Sequence, residues 1–281
     1  LERHQVWAYL AAIAVGLALG LAAPAAAPWL EAALWPALAL LLYATFVQVP
    51  LDHLADAVRD RRFVLAVLTG NFVAVPLLVA VLLLLVPDEP ALRLGILLML
   101  LVPCTDWYVT FTHVAGGDTA RAIAVTPLNL LAQLVLLPVW LWVLMGGDVS
   151  AGLDAPRLLI VLGLLILAPL AGAWASERWA RRSPAGGALV ARLAWAPVPL
   201  LALVVLLIAG AQATILPQLV LVLGDALLVF VLYLGASVAL GVAITRATAL
   251  PARAGRALVL SLATRNSFVV LPVALALPAG F

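Results

Sequence analysis

Residues that can do chemistry interrupt two long apolar segments of this chain. The first interruption runs from Pro103 to Trp107 (Pro-Cys-Thr-Asp-Trp), and the second runs from Arg265 to Ser267 (Arg-Asn-Ser). Together they hold an aspartate, an arginine and the one cysteine of the sequence. Ionisable groups at membrane depth are costly and usually face a bundle interior or a wet cavity. Paired broken helices in the two halves of a chain are typical of the binding site of a transporter.

The first interruption begins with a proline, which removes a backbone donor and disturbs the carbonyl one turn earlier. Unwound backbone beyond Pro103 would expose N–H and C=O groups, and half-helix ends would add partial charges. We therefore predict that Cys104, Thr105 and Trp107 contact a substrate. The alternative is a simple proline kink whose polar side chains bond to nearby backbone, as in many membrane helices. A kink alone does not need an aspartate, which favours a site.

The charged residues of the interruptions have two interpretations each. Asp106 either carries a proton during transport or balances Arg265 across a helix crossing. Arg265 stays charged, so it is either the partner of Asp106 or a fixed cation for an anionic substrate. Asn266 and Ser267 are neutral ligands suited to ions or polar solutes. Asp225, in a later apolar run, is a second candidate proton carrier, or else a solvated or capping residue near the end of its run.

Three further side chains extend the candidate site. Cys104 is a soft ligand for thiophilic metals and metalloids, although a lone buried cysteine often serves as a small apolar residue. Asn129 and Gln133 lie one turn apart on one helix face. They either line the same cavity or hydrogen-bond neighbouring helices. The sequence contains no zinc signature and no nucleophile–base set, so we predict a secondary transporter without a cofactor rather than an enzyme.

The composition requires a membrane to surround these residues. The chain is 67% hydrophobic and 10% charged, which excludes an ordinary soluble domain and predicts a lipid bilayer, not nucleic acid, as its partner. A span needs about 20 apolar residues, and helix is expected because it satisfies its own backbone in lipid. Nine runs meet this length: Val6–Ala23, Ala32–Val49, Phe63–Val86, Leu92–Ala115, Ala120–Met145, Leu158–Trp174, Leu189–Ala211, Leu216–Ile244 and Leu258–Leu277.

The basic residues, all of them arginine, predict the orientation of these spans. Alternate loops hold twelve arginines, whereas the intervening loops hold only Arg93 and Arg157. Loops rich in arginine stay in the cytoplasm. We therefore expect an integral protein of the plasma membrane (the inner membrane of a bacterial cell) with a cytoplasmic N-terminus.

The interrupted runs are the fourth and the ninth, five spans apart. This spacing predicts an all-α polytopic protein with a five-plus-five inverted repeat and two crossing discontinuous helices. Residues 1–281 would form a single transporter domain, with 1–145 as the first repeat and 155–281 as the second. The second repeat would then need a tenth span after Phe281.

The same motifs resemble those of the bile acid:sodium symporter superfamily, and most closely its arsenite efflux permeases. Those permeases have a cysteine fourteen residues before a Gly-Asp pair, as Cys104 precedes Asp118, and then an Asn and a Gln in the next span. The resemblance implies a core domain and a panel domain, with a crossover of discontinuous helices. The residues that carry it are Pro103-Cys104, Gly117-Asp118, Thr126, Asn129, Gln133, Pro138 and Arg265-Asn266-Ser267.

The chain departs from the superfamily where sodium-coupled members hold sodium. Those members have a glutamate at the position of Ser261 and a glutamine at the position of Arg265, whereas the threonine at Thr126 is retained here. They also have Ser-Asn at Tyr108-Val109 and a serine at Ala122. A guanidinium near that position would repel sodium, so the resemblance implies coupling to protons rather than sodium.

The transported solute is expected to be small and inorganic or anionic. The leading hypothesis is export of arsenite or antimonite in exchange for protons. Arsenite permeases have a glutamate that aligns with Val269, and Asp106 is the candidate substitute here. The alternatives are an organic-anion transporter of the same superfamily and, as a different class, a non-transporting membrane receptor or scaffold.

Overall fold

The computed structural model describes residues 5–48, 60–104, 107–145 and 167–266. Within those ranges the chain is almost entirely helical and has no strand, which confirms the predicted all-α architecture. The helices are α1 (Gln5–Ala22), α2 (Ala27–Phe46), α3 (Arg61–Thr69), α4 (Val75–Leu82), α5 (Pro90–Leu100), α6 (Trp107–Val114), α7 (Thr119–Met145), α8 (Ala168–Ala180), α9 (Pro184–Leu193), α10 (Pro197–Ala211), α11 (Leu216–Ala247) and α12 (Ala252–Ala263).

Membrane-spanning character is clear in the described part of the chain. Five helices there are long and apolar enough to cross a bilayer, and α9 with α10, which are bent by 45° at a short break, make a sixth if they are counted together. The chain is therefore a polytopic membrane protein. The predicted fourth run is broken in the structure, and the helix of the ninth run ends at Ala263. The rest of the ninth run from residue 267 and part of the sixth run lie outside the described residues.

Several helices extend further than the apolar runs that predicted them. α8 continues to Ala180 rather than ending at Trp174, and α12 begins at Ala252 rather than Leu258. Hydropathy detects only the apolar part of a helix, so polar ends beyond the hydrocarbon layer are missed. The seventh run is two helices, because Pro197 has no N–H to continue the helix that precedes it.

A π-helical turn, which the hydropathy pattern did not predict, separates α3 from α4. It covers Gly70–Ala74 and is followed by Pro76. Proline cannot donate the hydrogen bond that the carbonyl of Phe72, four residues earlier, would receive in an α-helix. The indole Nε1 of Trp140 on α7 donates to that carbonyl at 2.8 Å instead. The turn places Asn71 at a widened point of the third span.

The described residues fall into two compact units, each drawn from both halves of the chain. The first unit combines residues 1–48 with 159–222, and the second combines 49–158 with 223–281. Each unit therefore takes one segment from each of the repeats predicted from the sequence.

In the first unit, α1 packs on α10, and α10 also packs on α2. Gly16 and Gly20 make this approach possible, because a Cβ on either residue would collide with a carbonyl oxygen of α10 (Leu206 and Gly210, respectively). Small residues at such spacing allow close backbone approach between membrane helices. Elsewhere in the unit, the hydroxyl of Tyr43 on α2 shares a 2.7 Å hydrogen bond with Ser176 on α8.

In the second unit, α12 packs on α3, α6 and α7, and α7 also packs on α5. An ionic cluster fixes the beginnings of two of these helices. Arg121 pairs with Asp60 at 2.6 Å and with Asp118 at 2.8 Å. Asp60 accepts from the N–H of Phe63 at the start of α3, and Asp118 accepts from the N–H of Arg121 at the start of α7. Such side-chain caps satisfy amide groups that a helix leaves free at its N-terminus.

The ionic cluster changes the pKa of the Asp60 carboxyl. Partial burial raises its pKa, but the hydrogen bonds from Arg121 and the Phe63 N–H, with the charges of Arg121 and Arg62, outweigh burial. The pKa of Asp60 therefore lies below its ordinary value.

Candidate functional site at the crossing of two broken helices

Both predicted interruptions end a helix in the second unit. The last backbone bond of α5 runs from the N–H of Leu101 to the carbonyl of Leu97, because Pro103 cannot continue the helix. At the end of α12, Thr264 has an extended backbone and its hydroxyl donates to the carbonyl of Leu260 at 2.7 Å. The chain therefore leaves both helices in an extended form.

The two extended segments pair with each other. Pro103 and Arg265 form an antiparallel bridge, flanked by bonds from the N–H of Cys104 to the Thr264 carbonyl (3.2 Å) and from the N–H of Asn266 to the Val102 carbonyl (3.0 Å). Backbone groups released from the helices thus satisfy each other, as burial in an apolar interior requires. We call Val102–Cys104 and Thr264–Asn266 the crossover.

Arg265 is held by neutral oxygen atoms. Its Nη2 donates to Oδ1 of Asn71 at 3.0 Å, and its Nε donates to the carbonyl of Leu262 at 3.2 Å. The guanidinium also lies over the ring of Tyr233, 5.5 Å from the centroid. Leu262 is in the last turn of α12, where helix carbonyls carry partial negative charge. Among the described residues no carboxylate pairs with Arg265, and the described groups that contact its guanidinium are neutral oxygen atoms and a π face.

These partners of Arg265 are themselves fixed. Asn71 donates from Nδ2 to the hydroxyl of Ser261 at 2.9 Å, and Tyr233 donates to the carbonyl of Leu262 at 2.7 Å. Nη1 of Arg265 is buried and has no hydrogen-bond partner among the described residues. One donor of the guanidinium at the crossover is therefore not used by any described residue.

The remaining predicted residues divide into those that the structure describes and those outside it. Cys104 and Asn266 are buried at the crossover, and Trp107 begins α6, where its ring packs on Phe111 with centroids 5.7 Å apart. The predicted Asp106–Arg265 pair stays a prediction, because Asp106 lies outside the described residues. The same holds for Thr105 and Ser267, and for the side chain of Asp225 on α11.

Asn129 and Gln133 are buried on α7, the helix that packs on α5 and α12. None of their four amide atoms has a hydrogen-bond partner among the described residues. The alternative that these amides bond to neighbouring helices is therefore not seen in this part of the chain. An unsatisfied buried polar group costs about 1–3 kcal/mol, so a polar partner for these amides would be stabilising.

Sequence reasoning missed several polar residues of the second unit. Asn71 and Tyr233 hold Arg265, yet neither was predicted as a site residue. Asn71 is the only amide in its apolar run, and that was the available signal. Tyr108 and Thr112 lie one turn apart on α6, fully buried, and their hydroxyls have no partner among the described residues.

The apolar spans define the class of the protein, a polytopic helical membrane protein, and paired helix breaks of the kind seen at the crossover are typical of transporters. The sequence model of the sodium bile acid symporter family matches residues 35–218, which is more than half of the 281 residues. The chain therefore belongs to the sodium bile acid symporter family, whose members are transporters of small solutes. No curated protein matched the chain in a direct sequence search.

Proposed function

We propose that the chain is a secondary transporter that exports arsenite or antimonite in exchange for protons. The observation that carries the proposal is the position of Cys104, whose N–H bonds across the crossover to the Thr264 carbonyl. Thiolate sulfur is a soft ligand that suits trivalent metalloids. A cysteine at the break of two crossing helices is where a transporter of this architecture would hold its solute.

The amides of α7 support a hydroxylated solute. Trivalent arsenite and antimonite are neutral hydroxides, which both donate and accept hydrogen bonds. Asn129 and Gln133 each offer a donor and an acceptor that no described residue uses. In this proposal Trp107 and Asn266 lie close to the same solute, together with Thr105 and Ser267.

The surroundings of Arg265 support protons, rather than sodium, as the coupling ion. Its guanidinium already donates hydrogen bonds to the carbonyl of Leu262 and the amide oxygen of Asn71. Carbonyls at the end of a half-helix are the groups that bind sodium in transporters. A permanent positive charge there opposes a second cation. Asp106 and Asp225 are the proposed proton carriers.

The proposal includes the organisation predicted from the sequence. Residues 1–145 and 155–281 would be inverted repeats of one transporter domain in the plasma membrane, with a cytoplasmic N-terminus. The two compact units support this organisation, since each takes one segment from each repeat. The unit with the crossover would be the core domain, and the unit with α1, α2 and α10 would be the panel domain.

A second candidate function is organic-anion transport. The buried Nη1 of Arg265 favours it, because a guanidinium with an unused donor suits a carboxylate or sulfonate. In that case the solute would bind the crossover through charge, and Cys104 would be a small packing residue.

One flux experiment separates these functions. The purified chain is reconstituted into proteoliposomes, and the flux of arsenite, antimonite and a panel of carboxylates and sulfonates is measured with and without a pH gradient. We expect metalloid flux that follows the pH gradient, is abolished in Cys104→Ser and loses its pH dependence in Asp106→Asn. Flux of organic anions that Cys104→Ser leaves unchanged would establish the second candidate. A receptor or scaffold would give no flux under any gradient.

A further inference from the structure

A groove distinct from the crossover runs along the seam between α11 and α12, at the end where these helices are joined. It encloses about 430 Å³, and its lining includes Val242, Thr245, Arg246, Gly255, Arg256 and Leu260. The helices approach closely here, because a Cβ on Gly255 would collide with the side chain of Thr245. The groove therefore lies beside a close contact of the two helices.

The groove combines an apolar floor with a basic rim. Val242, Val259 and Leu260 supply apolar surface, and Val242 is 37% exposed. Arg246 and Arg256 are exposed at the rim, one from each helix. None of the described residues that line the groove is acidic.

The guanidinium groups at the rim keep donors for a ligand. Towards described residues Arg256 donates from Nη1 alone, to the carbonyls of Gly116 at 3.1 Å and Ala115 at 3.4 Å. Arg246 makes no ion pair with any residue in the described part of the chain. In the first unit, by contrast, Arg178 stacks on Trp174 and Arg181 pairs with Glu177.

We propose that this groove binds one anionic phospholipid, with an acyl chain along its apolar floor and the phosphate between Arg246 and Arg256. In a membrane, acyl chains are the apolar groups that reach a lipid-facing seam. An apolar floor would add nothing to the binding of a soluble anion, and two unpaired cations would not favour a zwitterionic lipid over an anionic one. Basic grooves between helix ends on the arginine-rich side of membrane proteins are typical sites for anionic headgroups.

Native mass spectrometry of the detergent-purified chain tests this site directly, with phosphatidylglycerol and phosphatidylcholine of the same acyl chains as probes. We expect one phosphatidylglycerol to be retained over phosphatidylcholine, and the double variant Arg246→Gln/Arg256→Gln to lose this preference by roughly tenfold to thirtyfold, at about 1 kcal/mol per arginine. The control is Arg253→Gln, an exposed arginine of α12 outside the groove lining, which should keep the preference.

A second variant tests the floor without changing charge. Val242→Phe fills the apolar groove at a partly exposed position, so it should fold normally and weaken retention of both lipids. Equal retention of the two lipids by the unmodified chain would overturn the proposal. A loss of the phosphatidylglycerol preference in Arg253→Gln as large as that in the double variant would also overturn it. Because the measurement is lipid binding and not flux, its result is independent of which solute the crossover transports.

Discussion

The guanidinium of Arg265 donates a 3.0 Å hydrogen bond from Nη2 to Oδ1 of Asn71, a residue 194 positions earlier in the chain. This bond joins the end of α12 to the π turn between α3 and α4. Asn71 also donates to Ser261, so both ends of its amide are satisfied. Asn129, which is equally buried on α7, has neither end satisfied among the described residues. The two amides therefore differ in their surroundings, since described residues satisfy the amide of Asn71 but not that of Asn129.

Replacing each amide with leucine should separate a role in the fold from a role in the site. Asn71→Leu leaves Nη2 of Arg265 with one acceptor fewer, and we expect it to lower the free energy of unfolding by about 1–3 kcal/mol. Asn129→Leu removes unsatisfied polar atoms, and we expect an unchanged or higher unfolding midpoint with loss of metalloid flux. Thermal unfolding in detergent and flux in proteoliposomes measure the two effects. A destabilised Asn129→Leu variant would show that this amide holds the helices together.

Removing the fixed charge at the crossover should change the response to sodium. In Arg265→Gln the carbonyl of Leu262 and the amide oxygen of Asn71 lose their guanidinium partner. We expect the unfolding midpoint of this variant to rise with sodium chloride relative to choline chloride, whereas the unmodified chain should not respond. Arg265→Lys, which retains a positive charge, is the matched control and should also be indifferent to sodium. An unfolding midpoint of Arg265→Gln that does not change with sodium would contradict the idea that Arg265 occupies the place of a bound cation.

The sequence predicted the crossover because its signals are local and chemical. Charged and polar residues inside an apolar run predicted both breaks, with a proline at the first, and the structure shows that Pro103 and Arg265 meet. The partners of Arg265 could not be predicted in this way. Asn71 reaches the guanidinium through a π turn that hydropathy does not record, and Tyr233 reads in sequence as one more aromatic residue of an apolar span.

Hydropathy also misjudged the lengths of helices. The segment with the arginines at the start of α12 was predicted to be a loop. In the structure the helix begins at Ala252, and these arginines belong to its polar end. The arginine-rich segments that predict orientation are thus partly helical. Helix ends in the headgroup region are polar for the same reason that the spans are apolar, so a transfer scale finds only the buried part.

The ionic cluster at the beginnings of α3 and α7 predicts how stability depends on pH. The folded-state pKa of Asp60 lies below its unfolded value, so its contribution is present above the unfolded pKa, about 3.9, and is lost as pH falls through the folded pKa. We expect the unfolding midpoint of the unmodified chain to fall below about pH 4 more steeply than that of Asp60→Asn. Glu89→Gln, at an exposed carboxylate, is the control and should leave the slope unchanged. Identical slopes for Asp60→Asn and the unmodified chain would exclude this role of the cluster.

The bond from Trp140 to the carbonyl of Phe72 should matter only because Pro76 is present. Pro76 has no N–H for that carbonyl, and the indole of Trp140 donates to it across the helix pair at 2.8 Å. We expect Trp140→Phe to lower the free energy of unfolding by about 1 kcal/mol in the natural background. In a Pro76→Ala background the helix regains its own donor, so the same substitution should cost much less.

A double-mutant cycle of Trp140→Phe and Pro76→Ala, measured by thermal or denaturant unfolding, gives this coupling directly. A coupling energy of about 0.5 kcal/mol or more, with the two changes less than additive, is expected if the indole replaces the missing helix bond. Additive effects would mean that the π turn satisfies the carbonyl of Phe72 by itself. Since Asn71 lies in the same turn, a coupled cycle would show that Trp140 stabilises the helix segment that carries this partner of Arg265.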